Sequence, residues 1–154
     1  MEYEVRVKQV EPVEVVSIRS KMSMSNIGTA MGACYDELYR YLQEAGGECL
    51  GGCYAVYHGE TFDPEDMDVE CCFSVARPLP DKGRIFSRVL EGATVASTLH
   101  VGPYATLEGA YRALGEWVEK NGRTYAGPAR DVYLDDPYDT PPEKLRTEVQ
   151  FPIK

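Results

Sequence analysis

Two glutamates sit in strand-like surroundings where a carboxylate could do chemistry. They are Glu70 in Asp68-Val69-Glu70-Cys71-Cys72-Phe73-Ser74-Val75 and Glu148 in Thr147-Glu148-Val149-Gln150-Phe151-Pro152-Ile153. Side chains alternate across a strand, so Glu148 and Gln150 point one way while Val149, Phe151 and Ile153 point the other. By the same rule Glu70, Cys72 and Ser74 share a face. The apolar sets must meet a core, which leaves both carboxylates on the face turned away from it. Tyr54, Tyr57, Tyr104 and Tyr133, from a chain with 11 tyrosines, are expected to wall that face, because stiff rings with polar tips suit flat ligands. A carboxylate shielded from water among such rings attracts organic cations, each cation–π contact adding about 0.5–2 kcal/mol. The expected ligand-binding set is therefore Glu148, Glu70, Tyr133, Tyr57, Tyr54, Tyr104, Gln150 and Cys72.

Other chemistries find less support. His58 and His100 have no recognisable nucleophile partner, and Trp117 reads as packing. Five cysteines form no regular framework and fit reduced thiols, while Cys71 and Cys72 point to opposite faces of their strand and cannot clamp one ion. No metal site and no cofactor are expected. The acidic turns at Asp63-Pro64-Glu65-Asp66 and Asp135-Asp136-Pro137 lack calcium-loop spacing, and no phosphate-cradling glycine loop or nucleophile elbow occurs. A net charge of −9 opposes direct binding to nucleic acid or anionic lipid. No apolar run reaches membrane-span length and Met1-Glu2-Tyr3-Glu4 does not open a signal peptide, so a cytoplasmic location is expected. A protein partner is conceivable on charge alone, but no residue supports one.

The elements that must position these residues occur twice. A strand at Val15–Ile18, a helix from about Asn26 to Ala45 stopped by Gly46-Gly47, and strands at Cys53–His58 and Asp68–Val75 are followed by the same succession. The second copy has a strand at Thr94–Ser97, a helix from about Ala105 to Lys120 stopped by Asn121-Gly122, and strands at Asp131–Leu134 and Thr147–Ile153. Val16 is matched with Val95, Tyr57 with Tyr133 and Glu70 with Glu148, at separations that drift as loop insertions make them drift. Apolar stripes run along both helices, Ile27, Ala30, Met31, Cys34, Leu38, Tyr41, Leu42 and Ala45 in the first and Leu107, Ala110, Tyr111, Leu114 and Val118 in the second. The expected fold is α+β: duplicated βαββ units with pseudo-twofold symmetry, repeats at about 12–76 and 93–153 of a single domain, helices on one face of an antiparallel sheet, and a central ligand groove on the other.

His100-Val101-Gly102-Pro103-Tyr104, Gly127-Pro128-Ala129-Arg130-Asp131-Val132-Tyr133 and Leu145-Arg146-Thr147-Glu148-Val149-Gln150-Phe151-Pro152-Ile153 resemble the GyrI-like small-molecule-binding family, which includes the effector-binding domains of bacterial multidrug-responsive regulators and is similar to SOUL proteins. The resemblance extends over essentially the whole chain. It implies a duplicated βαββ fold binding hydrophobic, often cationic compounds, with Glu148 at the position of the family's buried glutamate; Asp131 stands where the family pattern usually has glutamate. The leading expectation is a stand-alone multidrug-type binding protein for hydrophobic aromatic, cationic compounds. A second is a hydrolase opening strained electrophiles such as cyclopropanoids, with a burial-raised carboxyl as proton donor and Glu148 and Tyr133 catalytic. A third, from the family's name, is an acidic inhibitor of a nucleic-acid enzyme such as gyrase.

Overall fold

The computed structural model describes residues 3–59 and 63–154, so the first two residues of the expected non-signal start lie outside the described residues. The elements in chain order are β1 (Arg6–Val10), β2 (Val13–Met22), α1 (Ile27–Ala45), β3 (Cys49–His58), β4 (Met67–Val75), β5 (Ile85–Leu90), β6 (Ala93–Val101), α2 (Glu108–Lys120), β7 (Ala129–Tyr133) and β8 (Arg146–Pro152), with short 3-10 turns at Tyr104–Thr106 and Pro142–Lys144. They gather into two compact units, one spanning Pro12–Glu91 and the other Gly92–Lys154 with the N-terminal segment through Glu11.

Each unit is an antiparallel sheet built on a βαββ succession. In the first, strands lie in the order β3-β4-β2-β5, and α1 packs on β2 and β4. The second repeats the plan as β7-β8-β6-β1, with α2 on β6 and β8. The fold is therefore α+β and duplicated, as the sequence predicts. The register shifts one correspondence. Arg19 faces Glu70 and Leu99 faces Glu148, so β6 follows β2 by 80 residues and Val95 answers to Val15 rather than Val16. Tyr57 and Tyr133 do correspond, since they face Val69 and Thr147, each one residue before a glutamate.

The outer strands break the simple repeat. β1 lies ahead of the first βαββ succession yet pairs with β6 of the second, whereas β5 lies ahead of the second and pairs with β2 of the first. Neither strand is among the elements expected from sequence.

Local chemistry explains the rest. α1 ends where Gly46 takes φ 66°, a left-handed conformation that costs glycine little, and Gly47 donates back to the Leu42 carbonyl at 3.0 Å. Cys34, Leu38, Tyr41 and Leu42 are the buried part of its stripe, while Ile27, Ala30, Met31 and Ala45 are half-buried. In the second unit Ala110, Leu114 and Val118 pack with Ala96, Val149, Phe151 and Ile153, and Trp117 borders this core. In β3 a bulge falls between Cys49 and Cys53; Gly51 adopts φ 91° there, and a side chain on Gly52 would meet the Tyr54 hydroxyl at 2.7 Å.

Candidate functional site

The second unit places Glu148 in the middle of β8, facing Leu99 on one side and Val132 on the other. Three donors converge on one of its oxygens. Ser97 Oγ donates to Oε2 at 2.8 Å, Gln150 Nε2 donates at 2.7 Å, and Lys8 Nζ lies 2.7 Å away. Oε1 takes no hydrogen bond or ion pair from the described residues. Burial pushes the Glu148 carboxyl up, but the Lys8 ammonium, the Gln150 amide and the Ser97 hydroxyl outweigh it and hold the group below its ordinary 4.5. The result is an ionised carboxylate fixed through one oxygen, with no partner among the described residues at the other. Its side chain is 19% exposed, and Leu99 and Val101 beside it are 46% and 42% exposed. Arg130, across from Gln150, is buried.

Glu70 occupies the same place in the first unit with different surroundings. It faces Arg19 and Val56, and both oxygens are taken. Arg88 forks onto it, Nε to Oε2 and Nη2 to Oε1, each at 2.7 Å; His58 Nε2 donates to Oε1 at 2.8 Å, and Cys72 Sγ lies 3.6 Å from Oε2. Burial alone would raise this carboxyl, but His58, Arg88 and Ser17 bring it well below the usual carboxylate range. Burial and then the Glu70 charge push the Cys72 thiol up, leaving it protonated and unsuited to attack. Arg19 is itself engaged in a bidentate pair with Asp68, at 2.8 and 2.6 Å.

The predicted residues thus divide. Glu148 and Gln150 meet, as do Glu70 and Cys72, and Tyr54 lies on the Glu70 face, directly across from Cys72. Tyr57 and Tyr133, paired with Val69 and Thr147, lie on the helix-covered faces instead. Tyr133 donates to Asp131 at 3.4 Å, Tyr111 of α2 donates to the same carboxylate, and the Tyr104 and Tyr133 rings stand 5.4 Å apart. Strand alternation therefore puts a sheet between Glu148 and the Tyr104–Tyr133 pair, which sequence reasoning grouped together. The burial-raised carboxyl of the hydrolase reading is not found at either glutamate. His100 is a buried structural hub: Tyr3 meets its Nδ1 at 2.8 Å, and its Nε2 lies 3.1 Å from the Thr106 hydroxyl.

The residues that sequence reasoning missed are the partners of the glutamates, Lys8, Ser97, Ser17 and Arg88, and His58, considered there for catalysis, is a partner of Glu70 instead. Lys8 faces Val95 and Arg88 faces Val15, the same register position in the two units. The alternation of Val5 and Val7 with Arg6 and Lys8 is the local signal for β1. Among the described residues no group of three or more His, Cys, Asp or Glu side chains could hold a metal ion.

The fold belongs to a known class of protein. The GyrI-like small molecule binding domain matches residues 3–154, and the chain belongs to that family of small-molecule-binding domains. The C-terminal domain of EcmrR is similar, with 26% identity, a TM-score of 0.85, and coverage of 100% of this chain and 99% of that one. Similar too is EcmrR in its DNA complex (26%, TM-score 0.90), where 99% of this chain is covered but only 57% of that one; the chain thus spans little more than half of that protein. SAV2435 bound to tetraphenylphosphonium shares the fold at 18% identity and TM-score 0.69, covering 100% of this chain and 94% of that one. A hydrolase from Listeria innocua does so at 16% and 0.68, over 98% and 92%. No curated protein matches the chain. No helix among the described residues is long and apolar enough to cross a membrane.

Proposed function

We propose that this chain binds amphipathic organic cations, and that Glu148 is the residue that recognises their charge. The observation carrying this reading is the one-sided clamp on Glu148: three donors hold Oε2, while Oε1 remains unengaged by the described residues beside exposed Leu99 and Val101. A preorganised carboxylate next to aliphatic surface supplies what a flat or bulky lipophilic cation needs, a counter-charge and an apolar bed. The family supports small-molecule binding in general, and the tetraphenylphosphonium held by SAV2435 is a ligand of this chemical kind. Glu70 is assigned a structural role, since both of its oxygens are occupied and it is 1% exposed. The free thiols of Cys34, Cys49, Cys53, Cys71 and Cys72 fit a reducing, cytoplasmic setting. Binding rather than turnover is favoured because an ionised Glu148 is a poor proton donor, and Tyr133 lies across the sheet from it.

The test is a fluorescence-polarisation titration of rhodamine 6G into wild type and Glu148→Gln at pH 7, with mass spectrometry of the ligand afterwards. The expected outcome is saturable binding, about tenfold weaker in the variant, with the ligand intact; tenfold corresponds to about 1.4 kcal/mol. Equal affinity in both proteins would remove Glu148 from the site, and a chemically altered ligand would favour hydrolysis.

A further inference from the structure

Glu148 already has a cation. Lys8 Nζ lies 2.7 Å from Oε2, delivered by β1 from ahead of the first repeat. Arg88 holds the equivalent register position on β5, and the two cations meet their glutamates differently. The Arg88 guanidinium forks onto both oxygens of Glu70, which leaves that carboxylate closed. Lys8 touches a single oxygen, and its side chain is 45% exposed. A lysine so placed can move its ammonium into water at small cost, because half-exposed ion pairs are weak and the four-carbon stem is flexible.

We infer that Lys8 is the specificity-determining residue of the Glu148 site: a tethered cation that a ligand must displace or outweigh. The inference rests on the cation-binding reading above and deepens it. A small hydrophilic ammonium ion offers Glu148 nothing that Lys8 does not already provide, and it must also give up translational freedom that the tethered lysine has already lost. A cation with a broad apolar body gains the burial of Leu99 and Val101 as well, which the lysine cannot supply. Lys8 thus filters ligands, rejecting simple ammonium ions and admitting lipophilic ones. The arginine in the other unit shows what a stronger internal cation does in that position, which is to fill the site outright.

The experiment uses rhodamine 6G as the cationic probe, uncharged N-phenyl-1-naphthylamine as the neutral one, and tetramethylammonium as a small competitor. Each is titrated with wild type, Lys8→Met, Lys8→Arg and Glu148→Gln. Lys8→Met is expected to bind rhodamine 6G about fivefold tighter, the scale of losing a half-exposed ion pair, and to become sensitive to tetramethylammonium. The neutral probe should be unchanged, and Lys8→Arg should bind rhodamine 6G more weakly than wild type. Unchanged or weaker rhodamine binding by Lys8→Met would overturn the inference, as would an equal gain for the neutral probe. Binding that depends on Glu148 but ignores Lys8 removes this inference alone. Wild-type binding that ignores Glu148, or none at all, removes the functional reading and this inference with it.

Discussion

At the scale of single residues, the two glutamates are identical side chains at equivalent positions whose neighbours give them different surroundings. Where Glu70 faces Arg19, Glu148 faces Leu99; where Glu70 is forked by Arg88, Glu148 is touched once by Lys8. The first environment satisfies a buried charge completely and the second leaves one oxygen available. Both carboxyls are held below 4.5, so both are ionised at neutral pH. The pH dependence follows with its sign. A depressed carboxyl stays charged as pH falls through the ordinary range, so rhodamine 6G affinity should be flat from pH 8 down to about 5 and be lost only below the usual glutamate value near 4.3. A midpoint between pH 5 and 7 in the titration would mean that Glu148 is a raised carboxyl, which the three donors around it contradict.

At the scale of elements, the outer strands β1 and β5 matter most, because each carries the counter-ion for the glutamate of the unit it joins. Removing one partner of a buried pair strands the other, so Arg88→Met should cost roughly 3 kcal/mol of stability, measured by urea unfolding at pH 7. Lys8→Met breaks a half-exposed pair and should cost less than about 1 kcal/mol. Equal costs would mean that the two ion pairs do not differ in burial. Because the Glu70 carboxyl is depressed, its contribution is fully present above its unfolded value of 4.5 and fades as pH falls through the folded value. The two βαββ successions were legible in the sequence, since long apolar stripes and glycine stops mark α1 and α2, and alternation marks β4 and β8. β1 shows only a short alternation from Val5 to Lys8 and β5 none, and the place of neither was legible, because each lies ahead of one copy and pairs with a strand of the other, and no local pattern announces so distant a partner. The same limit split the expected site. Alternation placed the glutamates on the faces opposite the helices, but Tyr57 and Tyr133 were grouped with them by residue type without applying that alternation across β3 and β7.

At the scale of the whole molecule, one repeated plan sets two glutamates in different surroundings, and of the two it is Glu148 that keeps an oxygen without a partner among the described residues. The family and the similarity to the EcmrR C-terminal domain place this plan among small-molecule-binding domains. A net charge of −9 draws cations toward the surface without selecting among them, so under the proposed function selection falls to Glu148. The most direct measurement is a crystal structure of the protein with rhodamine 6G bound. The account predicts ligand density lying on Leu99 with its charged end toward Glu148 Oε1, and no ligand at Glu70. Density against the Tyr104–Tyr133 pair on the helix side of the sheet, with Glu148 untouched, would contradict it.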